Sequence, residues 1–518
     1  MSLAGDAAGS PWWAEAVFYE IYVRSFADGN GDGVGDLAGI RSHLRYLSEL
    51  GVDALWLTPF YPSPGADHGY DVADYVGVDP LFGTLDDFDA LVADAHGMGL
   101  RLIVDIVPNH TSNEHPWFRN ALEDTSHPDR SRYFFRPGHG DRPPNNWPSN
   151  WGGPAWTRES PGGEWYLHLF SPEQPDLDWE SDLVRDDFER ILRFWLDRGV
   201  DGFRIDVAAA LYKDATLQDE DEPFPEAAFT TEWRRAVDQP AVHDVYRRWR
   251  RIVGEYDADP VLVGEVVFSD PARLAPYVRP DELHLAFNFT LLFEDWDAAA
   301  IRSAIDRSLA ALAGVGAPPT WVFENHDVTR LPTRYGGGKR GLRKARAAAL
   351  LLLALPGPVF VYQGQELGLE EVELPDAVRQ DPIFRRSNGT RLGRDGCRVP
   401  IPWSGGAPGF GFTTGSPWLP MPPDWTGKTV HAQTRSPGSP LELYRRALEL
   451  RRGISGPLRW LDAPAGALVL ARGELVCAVN LADDPLRLPP GEVVLASEAP
   501  ADGALLPGTA AWITGASR

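Results

Sequence analysis

Two rhythms of apolar and polar residues alternate along the chain. Short apolar runs occupy residues 16–24, 54–59, 100–107, 202–207, 261–266, 283–289, 320–324 and 359–362, each β-rich and followed by a turn or loop. Between them lie segments at helical spacing, namely 37–50, 85–98, 185–198, 242–256, 298–313 and 339–355. Strands alternating with helices predict a parallel sheet. Eight such runs predict a closed (β/α)₈ barrel, a TIM-type α/β fold, rather than an open sheet.

Two stretches break the rhythm. Residues 109–179, after the third strand, are rich in Pro, Gly, Trp, Asn and His and lack helical periodicity. They read as an inserted subdomain covering the barrel mouth. A second irregular insertion, about 368–427, follows the eighth strand. Both emerge at the face where barrel enzymes place their sites. Residues 441–452 read as a closing helix. Beyond it, 468–471, 476–479 and 493–496 look like short strands joined by Pro/Gly/Asp turns. The expected organisation is a barrel over 1–108 and 180–453, a subdomain over 109–179, and a C-terminal all-β sandwich over 454–518.

Length agrees with several domains, since 518 residues exceed the ~250 of a bare barrel. The formal net charge of −25 argues against nucleic acid and anionic membranes as partners, because both call for basic patches. Cys397 and Cys477 are the only cysteines, which gives no disulfide framework and no metal spacing. The first 13 residues lack a basic start and an apolar core, so no signal peptide is expected. The longest apolar stretch, 345–355, is too short to span a bilayer. A cytoplasmic protein is expected. The 19 tryptophans suit core packing, and collectively they also suit stacking against sugar rings.

Candidate chemistry comes from acids at strand ends. Asp206 ends Gly202-Phe203-Arg204-Ile205-Asp206, Glu265 ends Val261-Leu262-Val263-Gly264-Glu265, and Asp327 follows Phe323-Glu324-Asn325-His326. One such acid could simply cap the next helix. Three converging from different strands, with Arg204 beside one of them, point to a site.

Four motifs then carry a resemblance: Asp105-Ile106-Val107-Pro108-Asn109-His110, Gly202 to Val207, Gly264-Glu265-Val266, and Phe323-Glu324-Asn325-His326-Asp327. In this order they resemble the α-amylase superfamily of glycoside hydrolases, family 13. Gln174-Pro175-Asp176-Leu177-Asp178-Trp179 resembles the segment marking its oligo-1,6-glucosidase and α-glucosidase branch. The resemblance covers nearly the whole chain. It implies that Asp206 attacks the anomeric carbon to form a covalent glucosyl intermediate, with Arg204 keeping it ionised and oriented. Glu265 is implied as general acid/base, its pKa raised by burial and by Asp206. Asp327, His110 and His326 are implied to grip sugar hydroxyls.

The same resemblance implies a closed glucose pocket. Tyr70 would stack on the sugar and Asp67 bind its outer hydroxyls. Arg394 and Arg398 match paired arginines, and Arg398 with Asp67 would close the far end, unless the arginines form only a surface ion pair. Phe170 matches a wall residue, with plain core packing as the alternative. Cys397, between the arginines, is expected to fill space and to be reactive only if exposed. The loop Asp28-Gly29-Asn30-Gly31-Asp32-Gly33-Val34-Gly35-Asp36 spaces oxygen donors alternately, as Ca²⁺ loops do. The family resemblance implies a structural ion on Asp28, Asn30, Asp32, Asp36 and the Val34 carbonyl. Ca²⁺ is preferred over Mg²⁺, and the alternative is a metal-free acidic turn. No organic cofactor is expected.

Val207 and Ala208 are expected to line the space for the leaving sugar. The expected function is a retaining, exo-acting α-glucosidase on short α-1,4-linked oligosaccharides, a small-molecule substrate class. The alternatives are an oligo-1,6-glucosidase, or a transferase or isomerase such as a trehalose synthase.

Overall fold

The computed structural model describes residues 10–220 and 235–515. Residues 1–9, part of the stretch read for a leader, lie outside the described residues. Each predicted apolar run contains a barrel strand: β1 Val17–Ile21, β2 Ala54–Leu57, β3 Arg101–Ile106, β4 Gly202–Ile205, β5 Val261–Gly264, β6 Leu285–Ala286, β7 Trp321–Val322 and β8 Val359–Tyr362. All described pairings among them are parallel, in the order β7-β8-β1-β2-β3-β4-β5-β6. The sheet curls until its edges meet. A side chain stitches the gap: the Thr320 hydroxyl donates to the Ala286 carbonyl (2.6 Å) and accepts from Asn288 N–H (3.0 Å).

Inward residues from most of the strands fill the barrel, among them Phe18, Trp56, Ile103, Val261, Val263, Leu285, Val322 and Phe360. Phe18 and Phe360 stack at 4.6 Å. The interior is therefore a packed core rather than a channel.

Helices wrap the outside because their apolar residues recur every three or four positions. Leu85–Gly97 buries Phe88, Leu91, Val92 and Ala95, and its start is fixed by a Thr84/Asp87 capping box. The helix predicted over 37–50 is split into Leu37–Ser42 and Leu44–Leu50. The His43 ring takes the Gly39 carbonyl (2.8 Å) that the helical ladder would use, and His43 N–H bonds to Ile40 instead.

The 109–179 insertion carries a three-stranded antiparallel sheet of Phe135–Arg136, Trp165–Leu167 and Trp156–Arg158. A fully buried ion pair, Lys213 Nζ to Asp176 Oδ2 at 2.8 Å, ties it to the loop after β4. The C-terminal region forms β9 Leu458–Trp460, β10 Ala467–Arg472, β11 Leu475–Asn480, β12 Leu486–Arg487, β13 Glu492–Ala496, β14 Ala504–Leu505 and β15 Ala510–Thr514. A five-stranded antiparallel sheet (β9-β10-β11-β15-β13) shares an apolar core with the β12-β14 pair. Trp512 Nε1 donates to Leu350 O on helix Gly338–Ala354, docking this domain on the barrel. Among the described residues, no helix is long and apolar enough to cross a membrane.

Candidate active site

The strand ladder aims the candidate acids. Asp206 N–H donates to Ile106 O and Glu265 N–H to Ile205 O, so the parallel ladder runs one residue past β4 and β5. Both side chains therefore leave the sheet at the mouth, side by side. Val207 then adopts a left-handed φ of +45°, a strained state for a β-branched residue. This turn points Val207 N–H at Glu265 Oε2, 3.0 Å away.

Arg204 is the hub. Its Nη1 lies 2.7 Å from Asp206 Oδ1 and 2.9 and 3.0 Å from the Asp105 oxygens, and its Nη2 lies 2.8 Å from Glu265 Oε1. Three acids thus share one buried guanidinium, whose ring-facing side packs near Trp56 and Tyr70. Burial pushes Asp206 well above the usual carboxylate range, Arg204 opposes that, and Glu265, Asp105 and Asp327 reinforce it. Burial likewise pushes Asp105 up to about 7 against Arg204.

Asp327 has the opposite balance. Burial works to raise it, but His326, Arg394 and Arg398 hold it below the usual range, so it is ionised. Arg394 Nη1 and Arg398 Nη2 both reach Asp327 Oδ1, at 3.1 and 2.8 Å.

Asp67 is closed off by Arg394, not by Arg398 as the sequence reading had it. Arg394 Nη2 lies 2.6 Å from Asp67 Oδ1, while Arg398 turns its Nε to His326 O at 2.9 Å. Asp381 explains the difference. It accepts from the Arg394 backbone and from Nε (2.8 and 2.7 Å), fixing that side chain towards Asp67. The arginines are buried, so neither is a surface ion pair.

A pocket opens above these groups. Asp67, Tyr70, His110, Phe170, His326, Asp327 and Arg394 line one part of it together with Asp206 and Glu265. Arg204 and Arg398 stand behind this lining. The Tyr70 hydroxyl bonds to Asp105 and His326. Burial lowers His110 to about 4, so it is neutral near pH 7. Ala208 does not line the pocket. It is fully buried, and the wall is formed by Val207, Ala209, Ala210 and Val267. After the left-handed turn at Val207, Ala209 and Ala210 reach the pocket and Ala208 does not. Cys397 is buried, its sulfur lies 3.1 Å from Arg394 O and 3.3 Å from His326 O, and burial pushes the thiol far above its usual range, so it is not a reactive thiol.

Sequence reasoning missed Gln174 and Asp381 as site residues. Gln174 Nε2 sits 3.0 Å from His110 Nε2 and 3.3 Å from Asp67 Oδ2, and it opens the Gln174–Trp179 motif. Asp381 lies in an irregular insertion where no pattern marks it.

The 28–36 loop is arranged as a self-capped turn. Asp28 accepts from Asn30, Gly31 and Gly33 N–H and from the Thr413 hydroxyl, which uses the roughly four acceptor sites of a carboxylate. Asn30 accepts from Asp32 N–H, Asp32 accepts from Val34 N–H, and Asp36 caps the next helix through Gly39 N–H. Among the described residues, no three His, Cys, Asp or Glu side chains form a metal-holding group. As placed, these side chains turn their oxygens to the loop's own amides.

The model of the alpha-amylase catalytic domain matches residues 20–455, which hold the whole pocket and all eight strands except the first residues of β1. The chain belongs to the alpha-amylase family. As a member of that family it is an enzyme, a glycoside hydrolase of family 13. A domain of unknown function (DUF3459) matches residues 458–513, the antiparallel sheets. The chain is 36% identical to the oligo-1,6-glucosidase of Parageobacillus thermoglucosidasius, over 85% of this chain and 84% of that protein. It is 37% identical to a probable alpha-glucosidase of Rhizobium meliloti (strain 1021), over 91% and 90%. The solved structure of an alpha-glucosyl transfer enzyme, XgtA, superposes with a TM-score of 0.89 at 39% identity, covering 98% of this chain and all of that one.

Proposed function

We propose that the protein is a retaining α-glucosidase that removes single glucose units from the non-reducing end of short α-1,4-linked oligosaccharides. The observation that carries this reading is the blocked end of the pocket, where Arg394 bridges Asp67 and Asp327. A chain end can enter such a pocket, and an internal segment cannot pass through it. Asp206 attacks the anomeric carbon, and Glu265 protonates the leaving oxygen and then activates water. Both ride on one guanidinium, which suits the short carboxyl separation that retention requires. Asp327, held ionised, bonds the sugar hydroxyls and stabilises positive charge developing on the ring.

The test is a panel of maltose, isomaltose, sucrose, trehalose and longer maltodextrins with products followed by NMR. The expected result is release of α-glucose as the first product, with maltose preferred over isomaltose. Initial β-glucose or internal cleavage would overturn the reading. Preference for isomaltose would make it an oligo-1,6-glucosidase. The apolar Val207, Ala209, Ala210 and Val267 wall supports a second reading, glucosyl transfer to another sugar hydroxyl, as in trehalose synthases. Disaccharide products in place of free glucose would establish that one.

Two lesser proposals accompany this. The loop at Asp28, Asn30, Asp32, Val34 and Asp36 has oxygen donors suited to Ca²⁺, and less to Mg²⁺, if Asp28 exchanges amide donors for the ion. Ca²⁺ is then expected to raise Tm and EDTA to lower it, by mass action on the folded state. An unchanged Tm with no metal by elemental analysis would leave the loop a plain turn. The two buried free thiols, Cys397 and Cys477, support a reducing, cytoplasmic setting.

A further inference from the structure

Beneath the sugar pocket, four side chains form one hydrogen-bonded chain. Asp105 Oδ2 lies 3.0 Å from the Tyr70 hydroxyl, that hydroxyl lies 2.8 Å from His326 Nε2, and His326 Nδ1 bonds to Glu20 Oε1. All four are buried. Glu20 lies in β1 and has no part in the mechanism above. Among the described residues its one ion-pairing partner is His326, whose backbone N–H also donates to it at 3.3 Å.

Hydrogen accounting makes this chain informative. Its three bridges need three hydrogens. Tyr70 brings one and a neutral imidazole brings one. Two bare carboxylates bring none, so one bridge would set lone pair against lone pair in a buried place. A third proton must sit on the chain. Asp105, although raised to about 7 by burial, is the poorer holder, because both its oxygens lie within 3.0 Å of Arg204 Nη1, whereas Glu20 has no arginine or lysine partner among the described residues. We infer that Glu20 and His326 share that proton, so that the pair is neutral overall and His326 presents Nε2–H to the Tyr70 oxygen and the pocket.

The surroundings agree. Arg204 from β4 and Asp105 from β3 approach one side, and Arg394 and Arg398 from the insertion after β8 approach with Asp327 on the other. Tyr362 on β8 and Tyr22 after β1 pack close by, Tyr22 stacked on the His326 ring. Burial pushes Glu20 well above the usual carboxylate range, and Asp327 adds to it. Asp327 Oδ1 is 3.5 Å from His326 Nε2, which places the donor beside the carboxylate that grips the sugar. Glu20 is thus a positioning residue: it keeps His326 a donor, and loss of the shared proton at high pH removes that donor.

Substitutions at Glu20 test this, and the activity readout rests on the α-glucosidase reading. In Glu20→Gln the carboxamide N–H₂ replaces the acid O–H and still donates to Nδ1, losing only the long 3.3 Å bond from the His326 backbone N–H, but it cannot ionise. Glu20→Met keeps length and supplies no donor. An aryl α-glucoside with a good leaving group serves as substrate, because it needs little protonation by Glu265. Wild type is expected to lose kcat on the alkaline side. Glu20→Gln is expected to keep kcat within about threefold at the optimum with the alkaline limb shifted upward by about one pH unit or more. Glu20→Met is expected to lose about tenfold or more in kcat with a smaller change in KM. A wild type without an alkaline limb, or Glu20→Gln keeping the wild-type limb or falling as far as Glu20→Met, would overturn the inference. If Glu20→Met does not fold, the Glu20→Gln profile decides alone. If the wild type cleaves no α-glucoside, the functional reading fails instead. The proton is then read in ¹⁵N-histidine spectra of the resting protein, where an unprotonated His326 Nε2 near pH 7 would overturn it.

Discussion

The two ends of the pocket are built from different materials. At the blocked end, Arg394 is held by Asp67, Asp327 and Asp381, with Arg398 behind, all of them buried or nearly so. At the side proposed for the leaving sugar, Val207, Ala209, Ala210 and Val267 contribute an apolar wall. Charged, directional contacts reject a misfitting ligand sharply, because a buried partner is left unpaired. Apolar contacts discriminate by degree. The enzyme should therefore be strict about the sugar it cleaves from and lenient about what that sugar is attached to.

The largest expected effect lies where the ends meet. Asp206→Asn is expected to lose on the order of 10⁴-fold in kcat on every substrate while far-UV CD and Tm stay close to wild type. Activity on maltose within tenfold of wild type would break the assignment. Arg394→Met comes next. It strands Asp67 and Asp381 without their cation, which costs about 3–5 kcal/mol of folding stability for a broken buried pair, and kcat/KM should fall by about 10²-fold or more, because the blocked end no longer holds the sugar. If the two ends are independent, the maltose-to-isomaltose ratio stays as it was, and a shifted ratio would show them coupled. The acid limb should change as well. Burial raises Asp67 to about 6 while Arg394 and Arg398 pull it down. Asp67 takes up its proton as pH falls through about 6 and leaves Arg394, so kcat/KM drops there, and without Arg394 the drop should begin at higher pH. The smallest effect is Val207→Thr. A hydroxyl on that wall should move the maltose-to-isomaltose ratio upward by no more than about tenfold and leave Tm nearly unchanged. A larger change would mean that the lenient wall is not lenient.

The sequence was most readable where one physical rule acts alone. Barrel strands are apolar on both faces, so each appears as a run, and an acid ending such a run has only the mouth to enter. Strands β6 and β7 are far shorter than their runs, because pairing stops at the edges where Thr320 takes over. In the C-terminal domain β9, β12, β14 and β15 were not anticipated. Three are two or three residues long, and β15 (Ala-Ala-Trp-Ile-Thr) is buried nearly throughout and shows no alternation. The site was readable as a set of residue types but not as a wiring diagram. Which arginine meets Asp67 depends on Asp381, a contact across the insertion that no local pattern records. The Ala208 position depended on one backbone dihedral, the positive φ at Val207.

The Thr320 stitch has a mechanical side. A sheet closed by ladders all round shares strain equally among its strands. Here the Thr320 hydroxyl spans Ala286 O and Asn288 N, and among the described residues the two short strands meet without a rung of the ladder between them. The barrel behaves less like a hoop than like a clasped bracelet. Thermal breathing should start at the clasp, and the clasp lies below the strand that leads to Asp327. Loosening it would let Asp327 drift from Asp206 and Glu265, so activity should fade on warming before the core melts.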